Sequence, residues 1–113
     1  MHETRIAIDL VAMVTEIANR HGLKRVDKVN LQFGEMIQIV PDIFRFAFRE
    51  AVRGTASEEA EVDLEILPVR LVCNQCHKEC PAERMVFRCI HCQSGDLDII
   101  QGKEMIIKSL EGE

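Results

Sequence analysis

The 113-residue chain contains no tryptophan and no tyrosine, and phenylalanine occurs only five times. Stacking platforms for single-stranded nucleic acid are built from such aromatics, so that class of binder is largely excluded. Basic charge is also short, since 14 Lys and Arg against 19 Asp and Glu give a formal net charge of −5. A phosphate backbone needs clustered Lys and Arg, so nucleic acid is not an expected partner. The longest unbroken apolar run, Leu10–Val14, is five residues, against the ~20 that a membrane-spanning helix needs. His2, Glu3, Arg5 and Asp9 break up the first ten residues, which leaves no apolar core for a signal peptide. The expected setting is the cytoplasm, with no membrane involved. In that reducing compartment five cysteines read as metal or redox ligands before they read as disulfides.

Apolar residues make up 47% of the chain, enough for one modest core. Ile6, Leu10, Val11, Met13, Val14, Ile17 and Ala18 recur on a 3.6-residue period, which predicts an amphipathic helix over Thr4–His21 with Gly22 as its stop. Val29, Leu31 and Phe33 alternate with Lys28, Asn30 and Gln32 in a half-buried strand that Gly34 ends. Pro41 suits the first turn of a second helix, and Asp42 lies near its positive end. Its expected buried face is Ile43, Phe44, Ala47, Phe48, Ala51 and Val52, its solvated face Arg45, Arg49 and Arg53, and its stop Gly54. After a polar, acidic loop, Val62, Leu64 and Ile66 mark a second strand ended by Pro68. Glu104–Leu110 is again strand-like and would have no core of its own unless it returned to the first lobe. The expectation is an α+β fold. Residues 1–68, completed by 102–113, form two helices on a three-stranded antiparallel sheet, and residues 69–101 are an inserted lobe.

Two C-x-x-C knuckles, Cys73/Cys76 and Cys89/Cys92, stand twelve residues apart. Each tight turn aims two thiolates at one ion, and two facing knuckles complete a tetrahedron that selects Zn(II) or iron. A segment of this size buries too little apolar surface to fold without a metal. Sulfur in all four positions leaves none for a catalytic water, so the ion should be structural. Cys80 is read as a bystander, or as a substitute ligand or free thiol. His77 and His91, beside the knuckles, are read as surface residues, with pH tuning of the site as the alternative. Cys73-Asn-Gln-Cys76-His77 also satisfies the C-x-x-C-H haem-attachment pattern, but that reading strands Cys89 and Cys92. Neither C-x-x-C opens a helix after a buried strand, which counts against thioredoxin-like redox chemistry.

Met1-His2-Glu3 would pass as a frayed tail in most chains. Its chemistry allows more. The α-amine of Met1, the deprotonated amide of His2 and the His2 imidazole can chelate one metal in a plane, with the Glu3 amide or carboxylate as a fourth donor. Planar, nitrogen-rich donor sets suit Ni(II) or Cu(II).

The opening Met1-His2-Glu3 before an amphipathic helix, Gly34-Glu35, the Pro41–Arg53 helix, the two knuckles, Gln101-Gly102-Lys103-Glu104-Met105 and Ser109-Leu110-Glu111 together resemble the HypA family of hydrogenase-maturation nickel metallochaperones. The resemblance spans essentially the whole chain. It implies a nickel-binding α+β lobe carrying an inserted zinc lobe, with Cys73, Cys76, Cys89 and Cys92 on Zn(II). It implies Ni(II) bound through His2, with Glu3 beside it; Met1 and Glu3 are the further donors that the chelate chemistry allows. Nickel would then be delivered to the precursor of the NiFe-hydrogenase large subunit together with the GTPase HypB; a homodimer is compatible with this. Some relatives add a carboxylate from the loop before the second helix. Here Val40 stands at that position and Asp42 is the nearest acid, so that ligand is not carried over. The competing class is a zinc-ribbon adaptor for protein or nucleic acid, with no second metal. An enzyme is the least expected class, because no nucleophile–base pair, phosphate-binding glycine loop or open metal position stands out.

Overall fold

The computed structural model describes residues 2–82 and 86–113. In chain order the elements are α1 (His2–Arg20), β1 (Val26–Gly34), a 3₁₀ turn (Glu35–Ile37), α2 (Pro41–Ala51), β2 (Glu61–Leu67), β3 (Arg70–Cys73), β4 (Glu79–Pro81), β5 (Leu97–Gln101) and β6 (Met105–Gly112). The chain divides into two compact units. The first takes Met1–Gln32, Ile39–Glu65 and Ile106–Glu113, and the second takes Phe33–Gln38 and Ile66–Met105.

In the first unit α1 buries Ala7, Leu10, Val11, Val14 and Ala18 along one stripe, while Met13, expected on that stripe, is 47% exposed. The helix ends in a Schellman motif. Leu23 N–H donates to the Ala18 carbonyl at 2.8 Å and Gly22 N–H to the Asn19 carbonyl at 3.2 Å. Gly22 has φ +71, a left-handed conformation that a side chain would oppose. The buried stripe of α2 is Phe44 and Phe48, continued by Val52 just past its end, with the two rings tilted and 5.7 Å apart. Ile43, expected to be buried, is half exposed, because the i, i+4 line through the two phenylalanines sets the phase of the helix and leaves Ile43 beside it. The helix also stops at Ala51, short of the expected Arg53, and Gly54 (φ +78) sits in the turn beyond. Arg45 is not fully solvated; its guanidinium donates to the Val62 carbonyl at 2.5 Å.

β1 lies at the centre of a three-stranded sheet in the order β2-β1-β6. The last strand therefore returns, as its lack of a separate core required. Lys24 N–H donates to the Glu113 carbonyl at 2.6 Å, and Gly34 N–H to that of Glu104 at 2.7 Å. These bonds run in opposite senses along the two chains, so β1 and β6 are antiparallel. Val29 and Leu31 of β1 are buried. On the open face, Asn30 donates to Ser109 Oγ at 2.8 Å and Gln32 to Glu65 Oε1 at 2.7 Å.

The second unit has a sheet of its own, β4-β3-β5, both pairs antiparallel, with Leu71 opposite Cys80 on one side and Ile99 on the other. Its small core is Val69, Leu71 and Cys80, flanked by Met36, Ala82, Leu97 and Ile99. Gly34 and Gly102 meet backbone to backbone. A Cβ placed on Gly34 would fall onto the Gly102 carbonyl, whose oxygen accepts the Met36 N–H at 2.9 Å. Two carboxylates close the same junction: Glu35 accepts the Val69 N–H at 3.0 Å, and Glu104 that of Gly102 at 2.6 Å. Among the described residues no helix is long and apolar enough to cross a membrane.

Candidate metal centres

Cys73, the last residue of β3, and Cys89 open two turns of the same construction. Cys73 N–H donates to the Lys78 carbonyl and Cys89 N–H to that of Ser94, both at 2.9 Å. His77 N–H returns to the Cys73 carbonyl at 2.8 Å, and Gln93 N–H to that of Cys89 at 2.9 Å. His77 (φ 62) and Gln93 (φ 67) hold the equivalent left-handed position in each turn. The turns face each other. Cys73 Sγ lies 3.5 Å from Cys92 Sγ, and Cys76 Sγ lies 3.6 Å from Cys89 Sγ. All four sulfurs are within 4.8 Å of one another, and none of the five cysteines is in a disulfide. A tetrahedral ion with arms of about 2.3 Å implies sulfur separations of roughly 3.8 Å. The four cysteines form a metal-binding group.

Backbone N–H groups favour thiolate at the first cysteine of each turn. At Cys73 the Cys76 N–H outweighs burial and holds the thiol below its ordinary range. Burial opposes ionisation of Cys89, but the Cys92 and His91 N–H groups overcome it and bring that thiol to about 6. Cys92 goes the other way. The Ser94 N–H favours its thiolate, yet the crowded sulfur of Cys73, burial and the sulfur of Cys89 push it up to about 12. Four thiolates so close repel one another, and a divalent cation among them removes the conflict.

Cys80 is not part of this group. It is fully buried in β4 opposite Leu71, in the apolar core of the unit, which is where uncommitted cysteines are most often found. His77 and His91 are exposed, and the His91 backbone N–H, not its ring, approaches the cluster at 3.3 Å from Cys89 Sγ.

At the other candidate site, His2 is the exposed first residue of α1, two residues earlier than periodicity placed the helix start. Met1 lies outside the described residues. Among the described residues the group of three or more His, Cys, Asp or Glu placed to share one metal is the four-cysteine group, which does not include His2. Glu3 is 3% exposed, and its carboxylate accepts the Val40 N–H at 3.0 Å. Asp42 is exposed in the first turn of α2. Sequence reasoning missed the Glu3–Val40 bond. Its only advance signal is that α2 starts at an apolar residue followed by proline, a start with no capping group of its own.

The family model described as "Hydrogenase/urease nickel incorporation, metallochaperone, hypA" matches residues 1–112. The chain belongs to the HypA family. It is 40% identical over 113 residues to the hydrogenase maturation factor HypA of Trichodesmium erythraeum, covering 100% of this chain and 96% of the relative. It is 37% identical to that of Desulfatibacillum aliphaticivorans, covering 98% and 86%. The solution structure of the Ni metallochaperone HypA from Helicobacter pylori matches with a TM-score of 0.74 at 26% identity, over 99% of this chain and 97% of that one. A second HypA solution structure matches with a TM-score of 0.76, also at 26% identity. The chain thus has the α+β HypA fold, and it carries a four-cysteine metal-binding group.

Proposed function

We propose that this chain carries Ni(II) as cargo at its N-terminus and delivers it during maturation of the NiFe-hydrogenase large subunit, with the GTPase HypB as partner and in the cytoplasm. Nickel is bound in the lobe formed by residues 1–68 and 102–113. Residues 69–101 hold a structural Zn(II) on Cys73, Cys76, Cys89 and Cys92. The observation that carries the reading is the HypA family match over residues 1–112, which includes His2 at the exposed start of α1.

The chemistry of a helix start suits a transferable nickel. Intrahelical bonding makes no use of the first N–H groups of a helix, so metal binding there breaks no helical hydrogen bond. Deprotonation of the His2 and Glu3 amides would leave a Ni(II) chelate with no net charge, which the positive end of α1 disfavours little. An exposed site of this kind releases its metal to a competing donor set. The zinc group is the opposite case. Four sulfurs fill its coordination sphere, and its binding energy is folding energy for a unit with few core residues.

The test is transfer. Chain loaded with radioactive nickel, mixed with metal-free large-subunit precursor, should pass the label to the precursor, and His2→Ala protein should not. If the two proteins transferred label equally, delivery through this site would be excluded. A zinc-only adaptor would transfer none.

A further inference from the structure

Val40 is the N-cap of α2 and makes no side-chain capping bond. Pro41 follows at N1 without an N–H, and the N3 residue, Ile43, has no polar group to reach back to the Val40 N–H as Glu or Gln does in a capping box. That N–H is accepted instead across 37 residues of chain by Glu3 Oε2, at 3.0 Å, from a side chain that is 3% exposed. Glu3 therefore acts in two places at once. Its backbone sits beside His2 in the first turn of α1, and its side chain completes the start of α2.

We infer that Glu3 is a positioning residue that couples nickel occupancy to the N-terminus of α2. The coupling rests on the nickel reading above and acts through the backbone of Glu3. Chelation fixes the backbone dihedrals of the residues whose nitrogens bind the metal, and a first helical turn otherwise frays. Fixing the Glu3 backbone holds its carboxylate on the Val40 N–H, so the loaded chain has a firmer α2 start than the empty one. Linkage makes the effect reciprocal: a broken cap lowers nickel affinity by the factor by which nickel strengthens the cap. Val40 has an isopropyl side chain with no metal donor. The cap then acts on the metal through the position of Glu3, not through a ligand from the loop.

The experiment uses the full, zinc-loaded chain with Ni(II) as the sole addition. Hydrogen exchange by mass spectrometry should show the peptide around Val40–Phe44 exchanging about tenfold more slowly at the capped amide when nickel is present, with β3–β5 unchanged. Glu3→Ala should weaken nickel binding about tenfold. Glu3→Gln, which keeps an acceptor oxygen, should recover most of that loss with the wild-type ligand-field spectrum. If saturating nickel left the Val40–Phe44 exchange unaltered, the coupling would be overturned. So would a Glu3→Gln protein as weak as Glu3→Ala with a changed spectrum, because the carboxylate would then itself be a nickel donor. Full nickel binding by His2→Ala protein would instead overturn the nickel reading beneath.

Discussion

Cys73 Sγ lies 3.5 Å from the Sγ of Cys92, the second cysteine of the opposite knuckle. This cross-knuckle contact, matched by Cys76 and Cys89 at 3.6 Å, makes each turn dependent on the other. Replacing Cys89 or Cys92 with Ser should release zinc and unfold the segment of about residues 69–101, because metal binding is folding energy in so small a unit. Amide spectra should lose the β3–β5 resonances and keep those of α1 and α2. Retained zinc at one ion per chain in either variant would contradict the tetrad.

Cys80→Ser separates core from ligand. The residue is fully buried opposite Leu71, so zinc content should stay at one per chain. A serine hydroxyl there would lack a partner and should cost ~1–3 kcal/mol of stability, while Cys80→Ala should cost less. Denaturant unfolding of the zinc-loaded variants reads both. Loss of zinc in Cys80→Ser would move that cysteine into the site.

Gly34→Ala places a methyl group on the Gly102 carbonyl. Backbone cannot yield as a flexible side chain would, so the substitution should destabilise the chain by about 2 kcal/mol or more. Gly95→Ala, at a glycine with open space around its Cβ position, is the control and should be nearly neutral. Equal melting temperatures for the two variants would contradict the close approach.

Nickel affinity should fall over the mildly acidic range below neutral pH, because the imidazole and the donating backbone nitrogens must be free of protons to bind. The sign is fixed: protonation competes with nickel, so lower pH means weaker binding. Equilibrium dialysis across that range on zinc-loaded protein checks it, and a flat profile would argue for oxygen donors.

Much of this was readable from residue order. α1 and its end were legible because the 3.6-residue stripe is regular and Gly22 alone supplies the left-handed turn. The knuckles were legible from spacing, and the return of β6 from a strand-like Glu104–Leu110 that would have no core of its own. Gly34 was legible only as the end of a strand and Gly102 only as part of a resemblance, and the structure gives their reason as a contact too close for a Cβ. Other features were hidden. β4 is three residues, Glu79–Pro81, too short to show alternation. Cys80 reads as a bystander, and its place in the core was hidden because its partners Leu71 and Val69 lie in β3 and just before it. The bond from Glu3 to Val40 joins residues far apart in sequence, and Ile43 lost its place in the core to a phase set by Phe44 and Phe48.

Metal stoichiometry of untagged, zinc-loaded wild-type and His2→Ala protein, by equilibrium dialysis against Ni(II), tests the central claim most directly. Both should hold one zinc per chain, the wild type one further and weaker nickel, and the variant no specific nickel. Thermal stability should hardly differ between them, since His2 is exposed. A His2→Ala chain that still bound one nickel with wild-type affinity would contradict the assignment and shift suspicion to His21, His77 and His91.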